Sequence, residues 1–151
     1  GDSGSNVING SSGDDTLIGL GGNDTLIGGS GTDRADYSGA TAGVTVNLNT
    51  GQASGGAGSD SLSGIEQVMG SGYGDTLTGS SANYLLGGNG DDLITSGGLS
   101  SSDTLVGGAG NDTLNSGFGG GTLDGGAGND ILTANQLNLL MSGLFRQSTI
   151  F

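Results

Sequence analysis

Aspartate recurs along this chain at a fixed interval. Asp15, Asp24 and Asp33 stand nine residues apart, as do Asp103 and Asp112, and Asp130 lies two such intervals beyond Asp112. Fifteen acidic residues face only two basic ones, Arg34 and Arg146, for a formal charge of -13, and the chain contains neither His nor Cys. That inventory cannot build thiolate or imidazole metal centres, disulfides or the usual nucleophile and base pairs. What remains is hard oxygen chemistry, for which calcium is the matching cation. Adjacent carboxylates such as Asp14 with Asp15, or Asp91 with Asp92, read as a turn residue followed by a ligand, not as a catalytic acid and base. The chain is therefore read as a non-enzyme. Nucleic acid and anionic membrane surfaces are poor partners, because both call for basic patches.

The elements that must position these carboxylates come from a nine-residue repeat, Gly-Gly-x-Gly-x-Asp-x-hydrophobic-x. Its clearest copies are GGAGSDSLS at 55–63, GGNGDDLIT at 87–95, GGAGNDTLN at 107–115 and GGAGNDILT at 125–133. Looser copies begin at Gly1, Gly10, Gly19, Gly28, Gly70 and Ser116, with a shortened copy at 79–86 and a lengthened one at 97–106. The eighth position carries Ile8, Leu17, Leu26, Leu62, Leu77, Leu85, Ile94, Leu105, Leu114, Leu123 and Leu132. A three-residue strand would turn that one side chain inward, and stacked copies would share a thin core that no single repeat could bury. Such a core suits a chain that is 31% hydrophobic and holds 37 Gly. Gly loses more backbone entropy on folding than any other residue, so a strong compensating interaction is needed. No apolar run approaches the roughly 20 residues of a membrane-spanning helix.

The array resembles the RTX, or haemolysin-type calcium-binding, repeat family over most of residues 1–133. That resemblance implies an all-β fold, a right-handed parallel β-roll (β-solenoid) in which six residues form a calcium-binding turn and three a short strand, two repeats to each turn. It also implies the ligands: sixth-position side chains and main-chain carbonyls from the first four loop positions. Carried over, the side chains are Asp15, Asp24, Asp33, Asp60, Asp75, Asp92, Asp103, Asp112 and Asp130, with Asn83 ligating through its amide oxygen. The carbonyls are those of Gly55, Gly56 and Gly58, of Gly87, Gly88 and Gly90, of Gly107, Gly108 and Gly110, and of Gly125, Gly126 and Gly128. Gly121 has no side chain to offer, so its site should be weak or missing.

If repeats alternate between the two edges of the roll, the carboxylates sort by parity. The irregular insertion at 37–54, with its strand-like Val44, Thr45, Val46, Asn47 and Leu48, counts as one half-turn. Residues 64–69 count as another, short one that has lost its calcium loop. One edge then collects Asp15, Asp33, Asp60, Asp75, Asp92, Asp112 and Asp130, with about six calcium ions between them. The other collects Asn6, Asp24, Asn83, Asp103 and Gly121 and is degraded. A miscount within 37–54 would exchange Asp15, Asp24 and Asp33 between edges and leave Asp60 to Asp130 intact. Turns about 4.8 Å apart set like charges against each other at roughly 1 kcal/mol per pair in water and about 3.5 kcal/mol at an effective dielectric of 20. A divalent ion between turns reverses that sign.

Residues 134–151 break the repeat and are the most apolar segment, with Leu137, Leu139, Leu140, Met141, Leu144, Phe145, Ile150 and Phe151. Three roles stay open for them: a cap on the last turn, an uncleaved C-terminal signal for type I secretion as the resemblance implies, and head-to-tail self-association into a homopolymer. The expected function is a bacterial module, extracellular or at the cell surface, that folds on meeting calcium and serves a structural, adhesive or matrix role. The rival is the calcium-binding C-terminal region of an RTX protease, lipase, epimerase or cytolysin.

Overall fold

A computed structural model describes residues 1–98 and 102–134 of the chain; the segment 134–151, for which a cap, signal or assembly role is expected, lies outside the described residues from 135 onward. Short strands wind into a β-solenoid of about 7 turns, without helix among the described residues. One sheet holds β1 (Val7–Ser12), β3 (Thr25–Ser30), β5 (Val44–Asn47), β6 (Gln52–Gly55), β7 (Gly58–Ser63), β9 (Thr76–Thr78), β11 (Leu93–Thr95), β13 (Thr113–Asn115) and β15 (Ile131–Thr133). The other holds β2 (Thr16–Leu17), β4 (Arg34–Asp36), β8 (Gln67–Met69), β10 (Tyr84–Asn89), β12 (Asp103–Ala109) and β14 (Gly121–Ala127).

Successive repeats fall on opposite sheets, and register keeps the aliphatics in line. Leu17 pairs with Ala35, Ala35 with Val68, Val68 with Leu85, Leu85 with Leu105 and Leu105 with Leu123 along one sheet. Along the other, Val46 pairs with Leu77, Leu77 with Ile94, Ile94 with Leu114 and Leu114 with Leu132. These side chains meet between the sheets as one core, with Ile8, Leu123 and Leu132 only partly covered near its ends. Period-two alternation explains the pattern: in Thr113–Asn115 only Leu114 is buried, while its neighbours lie half exposed.

The insertion departs from the expected half-turn. After β4 the chain crosses to β5, which pairs parallel with β9, then folds back antiparallel through β6 to β7 without leaving the sheet. The first turn is held by the Asn47 side-chain oxygen, which accepts the N–H groups of Asn49 and Thr50 at 2.9 and 3.2 Å. The second is made by Gly55, Gly56, Ala57 and Gly58, where Gly55 pairs with Gly58 across the hairpin. Gly55, Gly56 and Gly58, expected as carbonyl ligands of a calcium loop, thus begin as a hairpin turn, because the segment before them arrives from the same sheet. The strand order β3-β7-β6-β5-β9 contains two strands that have no counterpart opposite.

Candidate metal centre

All but the first of the sixth-position carboxylates on the edge of Asp15, and those on the edge of Asp24, tie two turns together. Asp24 Oδ1 accepts the Asn6 N–H at 2.8 Å, Asp60 Oδ1 that of Asp24 at 2.9 Å, Asp92 Oδ1 that of Asp75 at 2.8 Å, Asp112 Oδ1 that of Asp92 at 2.9 Å and Asp130 Oδ1 that of Asp112 at 3.0 Å. On the opposite edge Asp33 Oδ1 accepts from Asp15 at 2.9 Å and Asp103 Oδ1 from Asn83 at 2.7 Å.

This ladder corrects the assignment by parity. Asp24 stands with Asp60, Asp75, Asp92, Asp112 and Asp130, while Asp15 and Asp33 stand with Asn83 and Asp103, so no edge runs from Asp15 to Asp130. The cause is the insertion, which adds strands to one sheet and takes up no half-turn of its own. The column from Asp60 to Asp130 keeps its members, interrupted by the hairpin, where Asp75 Oδ1 accepts the Val44 N–H at 2.7 Å.

The second carboxylate oxygen separates the loops into two kinds. Oδ2 of Asp15, Asp24, Asp33, Asp92 and Asp112 is buried with no hydrogen-bond partner. A buried acceptor without a donor is costly, and a charged one more so. Around most of these atoms the main chain adds further oxygen. A Cβ built on Gly10 would stand 2.5 Å from Asp15 Oδ2 and 2.7 Å from the Gly28 carbonyl, so the first-position glycine leaves open a cradle shared by both oxygens. The same cradle recurs at Gly87, between Asp92 Oδ2 and the Gly107 carbonyl, and at Gly107, between Asp112 Oδ2 and the Gly125 carbonyl. At Gly19 the three nearest atoms all belong to Asp24, so the next-turn carbonyl is not among them. The loops also need glycine for conformation: Gly108 (φ 118°) and Gly110 (φ 144°) adopt angles nearly closed to other residues, and a Cβ on Gly110 would run into the Gly90 carbonyl. Among the described residues no three acidic side chains converge, so carboxylates alone would not complete a coordination shell here.

In the loops of Asp60, Asp75 and Asp103 a protein donor takes the second oxygen. The buried Tyr37 hydroxyl donates to Asp60 Oδ2 at 3.1 Å. Ser71 N–H donates to Asp75 Oδ2 at 2.6 Å while its hydroxyl donates to Oδ1 at 2.8 Å. The Ser96 hydroxyl donates to Asp103 Oδ2. The Asn83 amide oxygen, a candidate ligand by sequence, accepts from Ser80 N–H, Ser80 hydroxyl and Ser81 N–H at 2.6, 3.0 and 3.0 Å. These donors escaped the sequence reading because nothing in the repeat marks them, although Ser71 and Ser80 each occupy the second loop position of a copy. Tyr37→Phe should leave Asp60 Oδ2 buried and unpaired, lowering stability against denaturant by about 1–3 kcal/mol; an unchanged unfolding midpoint would show that the hydroxyl contributes nothing.

Burial is also the main cause of displaced carboxyl titration. It pushes Asp92 up to about 7, with the neighbouring charges of Asp75, Asp112 and Asp91 adding to the effect. Asp112 and Asp60 are raised for the same leading reason, against hydrogen bonds that pull the other way. Burial makes these groups harder to ionise than an ordinary carboxylate, the reverse of what a salt bridge does.

Recurrent carboxylates facing stacked carbonyls match a known pattern. The family model of the RTX calcium-binding nonapeptide repeat matches in four copies, over residues 1–35 and 97–132. Those two segments are RTX calcium-binding nonapeptide repeats. RTX repeats bind calcium, and the partnerless buried oxygens fit that ion: an all-oxygen set, part anionic and part carbonyl, is what a hard divalent cation takes. The residues that would hold it are Asp15, Asp92 and Asp112 with the carbonyls of Gly28, Gly107 and Gly125, and Asp24 with a less complete set. When bound, calcium supplies positive charge between turns. The protein's own part at Asp92 and Asp112 is to hold Oδ1 on the preceding turn and set Oδ2 beside the next turn's carbonyl. No curated protein matches this chain.

Proposed function

We propose that this RTX array is a secreted, non-catalytic calcium-binding module that folds on meeting extracellular calcium and serves a structural, adhesive or matrix role. The observation that carries the reading is the set of buried Asp oxygens left without donors. A roll built this way is unfavourable without cations and favourable with them, so binding and folding are one process. RTX repeats are typical of proteins exported by type I secretion, which supports placing that transition outside the cell.

Extracellular calcium modules bind at roughly 0.1–1 mM, far above cytosolic sensor affinities. The folding midpoint of the purified chain in a calcium titration, followed by circular dichroism, is expected in that window, and magnesium at the same concentration should not replace calcium. A midpoint in the low micromolar range, or folding in magnesium alone, would remove the basis for a switch between compartments.

A further inference from the structure

Between β4 and β10 the edge that carries Asp15 and Asp33 passes through residues 64–66, which lack the nonapeptide loop. Gly64, Ile65 and Glu66 lead directly into β8, three residues where the repeat uses six. Two features of a full loop nevertheless survive. Glu66 Oε2 accepts the Asp33 N–H at 2.9 Å, the same bond by which Asp33 Oδ1 receives Asp15. Gly64 turns its carbonyl into the cradle at Gly28, where a Cβ would meet that oxygen and stand 2.6 Å from Asp33 Oδ2. Asp33 is 0% exposed, and its Oδ2 has no hydrogen-bond partner.

We infer that Asp33, the Gly64 carbonyl and Glu66 form a calcium site of their own, with glutamate in the place that aspartate takes elsewhere. The shortened loop keeps its first and sixth positions and replaces the four between them with the single buried Ile65. A side chain one methylene longer than aspartate lets so short a crossover still reach the preceding turn. Glu66 also lines a cleft of about 220 Å³ with Leu48, Leu62, Ile65 and Ser80, created where the hairpin widens one sheet, and this gives the carboxylate access to solvent. The site rests on the calcium reading proposed above.

Glu66→Gln is the discriminating variant, since the amide oxygen can still accept the Asp33 N–H while the negative charge is lost. Calcium bound per chain, measured by equilibrium dialysis with metal analysis at saturating calcium, should fall by one ion relative to wild type, with the β-sheet spectrum retained. An unchanged ion count would overturn the Glu66 site and leave calcium-dependent folding standing. A wild-type chain that binds no calcium would instead overturn the reading beneath it. Should the variant fail to fold in calcium, anomalous scattering from wild-type crystals decides: an ion between Asp33 and Gly64 within ligand distance of Glu66 supports the site, and its absence there rejects it.

Discussion

Chelating calcium at neutral pH should abolish the β-sheet circular dichroism of this chain, and restoring calcium should bring it back. Five carboxylate oxygens among the described residues are buried without a donor. At about 1–3 kcal/mol for each unsatisfied group they oppose folding by roughly 5–15 kcal/mol, the whole stability of a typical domain. The core is too thin to absorb that, being one aliphatic per repeat. Protons should substitute in part for the ion. Asp92, Asp112 and Asp60 are raised above the ordinary carboxylate range, so each favours the folded state when neutral. Their contribution is fully present below about pH 4 and is lost as pH rises through the folded value, about 7 for Asp92. In chelator, the sheet signal should therefore return on acidification from pH 8 to pH 4. A full signal in chelator at neutral pH would refute metal-dependent folding, and an apo state that weakens on acidification would refute the role given to these carboxyls.

Asp112→Asn is expected to change sign with conditions. The amide oxygen can take over the bond from the Asp92 N–H, while the amide nitrogen replaces Oδ2 and meets the Gly125 carbonyl as a donor. In calcium the variant loses a charged ligand, and the folding midpoint should move to at least tenfold higher calcium, about 1.4 kcal/mol. In chelator with sucrose, which favours compact states, it should retain more sheet than wild type, because a buried orphan charge has become a satisfied amide. Asp75→Asn is the contrast. Both Asp75 oxygens already receive donors from Ser71 and Val44, and an amide nitrogen facing Ser71 N–H would set donor against donor. That variant should be weaker in calcium and chelator alike. Equal destabilisation by the two changes under both conditions would erase the distinction between metal-requiring and self-satisfied loops.

The inward column could be read directly because a three-residue strand presents one side chain to the core, and the repeat put Leu or Ile there almost every time. The edges were harder. Val44 to Leu48 announces a strand, but its partner β6 is Gln, Ala, Ser and Gly, residues with little strand preference, and the following GGAG imitates a calcium loop. Giving 37–54 a half-turn of its own, where β5 and β6 share one sheet with β7, exchanged Asp15, Asp24 and Asp33 between edges. Glu66 went unread as a ligand for two reasons: its loop is half the usual length, and the acid is the wrong one for the motif. Tyr37, Ser71 and Ser96 act through space on carboxylates between 4 and 23 residues away, and no periodicity reports such contacts.

The hairpin of β5 and β6 carries a rule about how such a chain can grow. A solenoid propagates one direction of travel, so a single added strand would send every later repeat backwards and dissolve its pairing. Two added strands cancel: β7 enters pointing the same way as β3, and the ladder continues as if uninterrupted. Extra length is therefore admissible here in even numbers of strands, whatever its composition, and the repeats downstream need no compensating change to accommodate it.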